Sequence, residues 1–155
     1  MVAIILAGGL GTRLRDVVST LPKSMAPIHG RPFLEYQMDY WIKQGVSKFI
    51  LSVGYLKDFI IEHFGNTYKG IPIEYAIEHE PLGTGGGLLL AEKGLTEAFL
   101  VLNGDTFIEV DLDNLYEFHL ECKSDWTFSL FRTNQFGRYM SIDVSPNGEI
   151  LSLKS

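Results

Sequence analysis

The stretch that decides the fold is VAIILAGGLGTRLR, from Val2 to Arg15. Its first part, residues 2–7, is a short continuous apolar run, which predicts a β-strand buried on both faces of a parallel sheet. The three glycines that follow let the backbone turn and approach a ligand closely, because they carry no Cβ. Arg13 comes directly afterwards. The stretch therefore predicts a strand that ends in an anion-binding loop with a guanidinium beside it.

This loop matches neither of two common phosphate-binding patterns. The third glycine of GxGxxG is absent, and so is the GK[ST] ending of a Walker A loop. Lys23 lies ten residues after Arg13, in LPKSMAP, where Pro22 and Pro27 stiffen the segment. The two cations together favour a site for two phosphates over a plain glycine turn with solvated arginines.

Strands and helices alternate along the rest of the chain. We predict helices over 31–45, 56–64, 84–94 and 111–121, strands over 49–53, 71–77, 98–102, 126–131, 139–144 and 150–153, and a turn at 145–149. This order predicts one domain over 1–155, a three-layer α/β/α fold around a Rossmann-like mixed sheet, with antiparallel strands near the end. Ligands of such sheets bind at the carboxyl ends of strands, so the loops at 8–15, 78–87 and 103–106 form the predicted site.

Two of these loops carry complementary chemistry. EHEPLGTGGG, at 78–87, brings the backbone close to a ligand without any cation, which favours a neutral part of a substrate. Thr84 could equally cap a helix there. In NGDTF, at 103–107, Asp105 follows a buried strand and is placed to hold Mg²⁺, although Asp is also a common turn residue.

Composition excludes several classes of protein. Of 155 residues, 46% are apolar and 21% charged, which argues against disorder and coiled coil, and a net charge of −6 argues against binding a nucleic-acid backbone. Cys122 is the only cysteine, so an intrachain disulfide is excluded and a cytoplasmic location is expected. The first apolar run is too short to span a bilayer, and we predict no membrane segment.

The motifs ILAGGLGTRLR, PKSMAP, PLGTGGG and NGD, in this order, resemble the sugar-nucleotidyltransferase family, the nucleoside diphosphate-sugar pyrophosphorylases. PLGTGGG followed by NGDTF and VDLD looks most like the members that join GTP to D-glycero-D-manno-heptose 1-phosphate. The resemblance implies a GT-A-like fold. It also implies a reaction in which a nucleoside triphosphate and a sugar 1-phosphate give an NDP-sugar and pyrophosphate with Mg²⁺, for bacterial surface polysaccharide synthesis. It allows a homodimer.

The resemblance also implies roles for particular residues. The nucleotide would be held by Leu6, Ala7, Gly8, Gly9, Gly11, Thr12, Glu80, Gly83 and Thr84, the sugar by Gly86, Asn103 and Tyr139, and catalysis would fall to Arg13, Lys23 and Asp105, with Asp105 as the magnesium ligand. Guanine presents two adjacent donors that one carboxylate can accept together. We therefore expect Glu80 to select guanine, with Glu78 as the second choice.

Two alternatives stay open, and the chain departs from the family pattern in places. One alternative is a uridylyltransferase for an amino-sugar 1-phosphate, and the other is a non-catalytic nucleotide-binding domain. Ser24 stands where many members carry proline, and Met140 where a glycine is common. Members usually continue with an EKP-like loop, further strands and a second metal-binding aspartate. We therefore expect the C-terminal part of the family fold to be missing, and nucleotide to be bound better than it is turned over.

Overall fold

The computed structural model describes residues 1–9, 21–133 and 141–154, with the backbone alone at position 154. The strands are β1 (Val2–Leu6), β2 (Pro27–Ile28), β3 (Arg31–Pro32), β4 (Lys48–Val53), β5 (Thr67–Tyr68), β6 (Ile71–Ile77), β7 (Phe99–Asn103), β8 (Ser141–Val144) and β9 (Ile150–Lys154). The helices are α1 (Phe33–Lys43), α2 (Lys57–Phe64), α3 (Gly83–Ala91) and α4 (Leu112–Cys122). The chain forms two compact units, Met1–Asp113 and Asn114–Ser155. The expectation of a single domain stays a prediction.

The first unit is built on a five-stranded sheet in the order β5-β6-β4-β1-β7. All its pairs are parallel except β5 with β6. From β1 the chain moves outward through β4 to β6, and then returns past β1 to form β7 on its other side. The strand order therefore reverses between β1 and β7, and the crevice outside the carboxyl ends of strands at such a point is where open α/β sheets bind ligands.

Alternate residues of β1 pack against opposite layers. Ala3 and Ile5 belong to a core cluster that includes Leu34 of α1 and Ile60 of α2. Ile4 belongs to a second cluster, with Ile50 of β4 and Ala91 of α3. All three β1 residues are fully buried. The continuous apolar run is thus explained by helices on both faces of the sheet, and the predicted α/β/α arrangement is confirmed.

The second unit contains a hairpin, but one of the strands predicted there is not formed. β8 and β9 pair antiparallel, and the turn between them has Gly148 at a φ of 87°. The predicted strand at 126–131 is not formed, and Trp126 and Phe131 are more than half exposed. The sheets found in the described ranges contain no strand from this segment. Of the predicted 139–144 strand, positions 139 and 140 lie outside the described residues.

The buried face of α1 differs from the one that its aromatic residues suggest. Reading the helix from its aromatics would bury Tyr36 and Tyr40, but both stay partly exposed and bond to backbone carbonyls of Ile28 and Val110 through their hydroxyls. The buried positions are Leu34, Gln37, Met38 and Trp41. Tyrosine hydroxyls require polar partners, which draws these rings toward the edge of the core.

A network of charged side chains ties α1 to β5 and α2. Arg31 pairs with Glu35 and Asp39 and donates to the hydroxyl of Tyr68. Burial raises the pKa of Glu35, but hydrogen bonds from Arg31 and His63 outweigh it and hold that pKa below its ordinary value. The pKa of Asp39 is lowered in the same way, because bonds to Lys69 and Arg31 outweigh burial.

No helix in the described part of the chain is long and apolar enough to cross a bilayer.

Removing the cation of this network should weaken the fold in a pH-dependent way. Arg31→Met leaves two carboxylates, 16% and 18% exposed, without their shared partner, and we expect a loss of about 1–3 kcal/mol at pH 7. Lowered folded pKa values stabilise the chain above the ordinary values of 4.5 and 3.8, and this stability is lost as the pH falls through the folded values. Urea unfolding at pH 7 and pH 3 should therefore show a smaller acid-induced loss in Arg31→Met than in wild type.

The matched control is Lys48→Met, which breaks the pair between Lys48 and the 62%-exposed Glu74. Exposed pairs contribute little, so this change should cost well under about 1 kcal/mol at either pH. Equal losses in the two variants would contradict the role given to Arg31.

Candidate active site

A cleft of about 380 Å³ opens at the carboxyl ends of β1, β6 and β7 and the first turn of α3. It is lined by Leu6, Ala7, Gly8, Gly9, Lys23, Ser24, Glu78, Pro81, Gly83, Thr84, Gly87, Asn103, Gly104 and Asp105. This is the place where the strand order reverses, and the loops predicted from the sequence meet there.

The loops after β1 and β7 approach each other closely at Gly104. Its amide donates to the carbonyl of Leu6 at 2.9 Å. A Cβ at position 104 would lie 2.9 Å from that carbonyl oxygen and 3.2 Å from the Cα of Ala7, and neither backbone atom can move aside cheaply. The glycine of the NGD motif therefore allows the two loops to form one continuous wall.

Lys23 and Asp105 place opposite charges in the cleft. The ammonium nitrogen lies 3.6 Å from a carboxylate oxygen, and the side chains are 28% and 50% exposed. Lys23 begins a single 3₁₀ turn whose next residues, Ser24 and Met25, are buried and anchor it. An anionic phosphate can take the lysine and a cation can take the aspartate, so the pair suits a ligand that brings both.

The carboxylate of Glu78 is enclosed by backbone that lacks side chains. It accepts a hydrogen bond from the hydroxyl of Ser52 and another from the amide of Leu82, both at 3.1 Å. A Cβ on Gly8 or Gly87 would lie only 2.6 or 2.8 Å from its Oε1 atom. Glycine at these two positions therefore makes room for the acid inside the cleft.

The start of α3 also differs from the predicted one. The helix runs from Gly83 to Ala91, so the predicted 84–94 ends three residues too late, and residues 92–94 form a turn. Thr84 is not the cap, since Leu82 occupies that position without a side-chain cap bond. Glu78 instead accepts the Leu82 amide, and this leaves Thr84 in the wall of the cleft.

The structure brings most of the predicted site residues together. Those that line the cleft are Leu6, Ala7, Gly8, Gly9, Lys23, Gly83, Thr84, Asn103 and Asp105. Glu80 is exposed, and neither it nor Gly86 lines the cleft. Gly86 faces Leu82, whose Cβ would be 2.7 Å from an added Cβ. Gly11, Thr12, Arg13 and Tyr139 lie outside the described residues.

Several lining residues were not predicted, and some of them carried a signal in the sequence. Gly87 and Gly104 belong to the glycine motifs, and Ser24 and Pro81 lie next to predicted residues. Glu78 was only the second choice for the base. It directly follows β6, and its amide still bonds to the carbonyl of Val53, whereas Glu80 has already left the sheet. A carboxylate at the strand end is the better guide to the cleft.

Asp105 fits one kind of magnesium site. In the described ranges there is no group of three His, Cys, Asp or Glu side chains that could hold a metal by themselves. Mg²⁺ is usually bound through one or two carboxylates together with water and substrate phosphates. The half-exposed carboxylate of Asp105 in the cleft meets that requirement once a phosphorylated ligand is bound.

Two glycines of α3 allow a matched test of the space around Glu78. Gly87→Ala would displace the Glu78 carboxylate and the Ser52 hydroxyl, 2.9 Å away, so we expect at least about tenfold weaker binding of the nucleotide that the family resemblance implies. Gly85→Ala meets no atom within 4 Å and should stabilise the helix by about 0.5–1 kcal/mol. Thermal unfolding and equilibrium binding measure both. Equal binding by the two variants would contradict the crowding argument.

Comparisons with known proteins agree with this geometry. Residues 2–154 match the nucleotidyl transferase family. The D-glycero-alpha-D-manno-heptose 1-phosphate guanylyltransferases of Aneurinibacillus thermoaerophilus and Campylobacter jejuni are 47% and 43% identical over 99% of this chain, and 67% and 68% of their own lengths are covered. The crystal structure of HddC from Yersinia pseudotuberculosis complexed with GMP-PN matches with a TM-score of 0.86 and 38% identity, over 99% of this chain and 68% of that one. The predicted GT-A-like fold is confirmed, and the chain belongs to the nucleotidyl transferase family.

Proposed function

We propose that this chain acts as a sugar-1-phosphate guanylyltransferase that joins GTP to D-glycero-D-manno-heptose 1-phosphate and releases pyrophosphate. The observation that carries the proposal is the cleft at the point where the strand order reverses. Its walls include Lys23, Asp105 and the enclosed carboxylate of Glu78. Relatives of that name in two bacteria, and a solved relative that holds GMP-PN, support guanine and heptose as the substrate classes.

The cleft offers separate places for the base and the phosphates. We place the guanine against Glu78, because its two oxygens keep free lone pairs after bonding Ser52 and Leu82 and can accept N1–H and N2–H₂ together. We place the phosphates at Gly8, Gly9 and Lys23, where backbone without side chains lies near an ammonium group. Glu80 stays a weaker candidate for the base, because it is exposed and outside the cleft wall.

The proposed reaction is a single displacement at the α-phosphorus. A phosphate oxygen of the sugar 1-phosphate forms the new P–O bond, the bond to the α,β-bridging oxygen breaks, and its electron pair leaves with pyrophosphate. Because two anions must meet, the protein contributes by positioning them and offsetting their charge. Lys23 would offset charge near the reacting phosphates, and Arg13 is proposed to face the leaving pyrophosphate. Gly11 and Thr12 are proposed to continue the phosphate cradle.

Asp105 would hold Mg²⁺, which would supply positive charge to offset that of the substrate phosphates. Asn103, Gly86 and Tyr139 stay predictions for the sugar side, and of these Asn103 lines the cleft. The product would be a nucleotide-activated heptose, which suits the supply of bacterial surface polysaccharide, and we propose the cytoplasm as its site of synthesis. The homodimer stays a prediction.

A nucleotide and sugar panel tests this function. We expect GTP to bind more tightly than UTP, dTTP or ATP, and pyrophosphate release to be fastest with GTP and the heptose 1-phosphate among heptose, mannose, glucose and N-acetylglucosamine 1-phosphates. A preference for UTP with the amino sugar would replace the proposal by the uridylyltransferase alternative. Tight nucleotide binding without release from any pair would instead favour a non-catalytic binding domain.

A further inference from the structure

Helix α1 presents a row of polar side chains to the segment that carries Asp105. Gln37, Tyr40 and Gln44 (the last at its C-terminal cap) are spaced three and four residues apart, so they share one face. The segment from 104 to 111, between β7 and α4, has no regular secondary structure, and its backbone must find partners elsewhere. The row on α1 supplies several of them.

Gln37 contacts this segment on both sides of Asp105. Its side-chain nitrogen donates to the carbonyls of Asn103 and Thr106, each at 2.9 Å. Gln37 is only 2% exposed, and in the described ranges its own side-chain oxygen has no hydrogen-bond partner. Leaving a buried acceptor unpaired is unfavourable, so core packing alone would favour an apolar residue of this size at position 37. The two donated bonds are what distinguish glutamine here, and both end on the loop of Asp105.

Tyr40 and Gln44 hold the far end of the same segment. Gln44 donates to the carbonyl of Val110 at 2.7 Å and accepts from the amide of Leu112 at 2.9 Å. The hydroxyl of Tyr40 bonds to both the carbonyl and the amide of Val110. Val110 lies five positions beyond Asp105, so these bonds fix the approach to α4 and leave the carboxylate to Gln37.

We propose that Gln37 is a positioning residue, which holds the Asp105 carboxylate where a phosphate-bound divalent cation can reach it. This inference rests on the proposed function. Asp105 itself is half exposed, and among the described residues its side chain has a 3.6 Å ion pair with Lys23 and a 3.3 Å bond from the hydroxyl of Thr106. Such contacts do not fix a carboxylate, because exposed pairs are weak. The direction of the Asp105 carboxylate therefore follows from the backbone on either side of it, to which Gln37 donates its two hydrogen bonds.

The test compares Gln37→Met with Gln44→Met, since each removes two hydrogen bonds to the stretch 103–112. Methionine is unbranched and fills similar space. The affinity of the full chain for GTP is measured with Mn²⁺ and with EDTA. The dissociation constant with EDTA, divided by the one with Mn²⁺, gives the cation dependence. We expect Gln37→Met to reduce this ratio at least about fivefold with the EDTA value unchanged, whereas Gln44→Met keeps the wild-type ratio.

Hydrogen exchange of the ligand-free chain gives a second readout. In Gln37→Met the amides of residues 104–106 should exchange about tenfold faster, and in Gln44→Met the change should move to residues 110–112. If Gln37→Met fails to fold, Gln37→Leu takes its place in both measurements.

The outcomes separate this inference from the proposed function. Wild type that binds GTP in a cation-dependent way, with Gln37→Met keeping the same ratio, overturns the positioning role alone. Wild type that binds no GTP in either condition overturns the function and the role together, and faster exchange at 104–106 would then mark Gln37 as a structural tether only.

Discussion

Asp105→Asn is expected to abolish the tightening of GTP binding by divalent cations and to slow pyrophosphate release by about 10²–10³-fold. The amide keeps the shape of the side chain but loses the charge that attracts a cation. Because Asp105 is half exposed and its ion pair with Lys23 is 3.6 Å long, its loss should cost little stability. The effect therefore falls on binding and rate. The measurements are GTP titrations with Mg²⁺ and with EDTA, and a pyrophosphate-release assay.

Asp113→Asn is the matched control, because this aspartate is exposed in the first turn of α4 and does not line the cleft. It should leave cation dependence and rate at wild-type values. If Asp105→Asn binds GTP with undiminished cation dependence, the magnesium role of Asp105 is wrong.

Glu78→Gln is expected to weaken GTP binding by about 10–100-fold and to raise the affinity for UTP relative to GTP. Hydrogen bonds to a charged acceptor contribute about 1.5–3 kcal/mol, and guanine loses one of two such bonds when an NH₂ group replaces an oxygen. The remaining oxygen is drawn to the amide of Leu82, which can only donate. The NH₂ group then lies toward the Ser52 hydroxyl and the base, where uracil offers acceptors and guanine offers donors.

Glu80→Gln separates this prediction from the one made on the sequence alone. Glu80 is exposed, two positions along the chain from Glu78, and its substitution should leave the preference for GTP intact. A loss of GTP preference in Glu80→Gln, with Glu78→Gln unaffected, would restore Glu80 as the base-selecting residue. Binding of GTP, UTP and dTTP to both variants decides between them.

The parts of the fold that sequence predicts best are those whose signal is local. The apolar run of β1 and the glycines after it indicate a buried strand and a close approach, and the cleft lies there. The segment 126–131 has an equally strand-like pattern, but a strand also depends on a partner, which a local pattern does not contain. The role of Gln37 has no local signal in the sequence, because its partners Asn103 and Thr106 lie 66 and 69 positions away along the chain. Which of Glu78 and Glu80 reaches the cleft depends on where β6 ends, and Glu78 is the one that directly follows this strand.

The pairing of β7 with β1 links ligand binding to the order in which the chain can fold. This pairing joins residues about one hundred positions apart, so it carries a large loop-closure cost and contributes to slow folding. The cleft draws on the loop after β1, the turn at Lys23, the start of α3 and the end of β7, which meet only when that last parallel strand has docked. A nucleotide held by all four of these parts can bind the folded chain but not the unfolded one. At a hundredfold excess over Kd it would add about 2.7 kcal/mol to the free energy of unfolding.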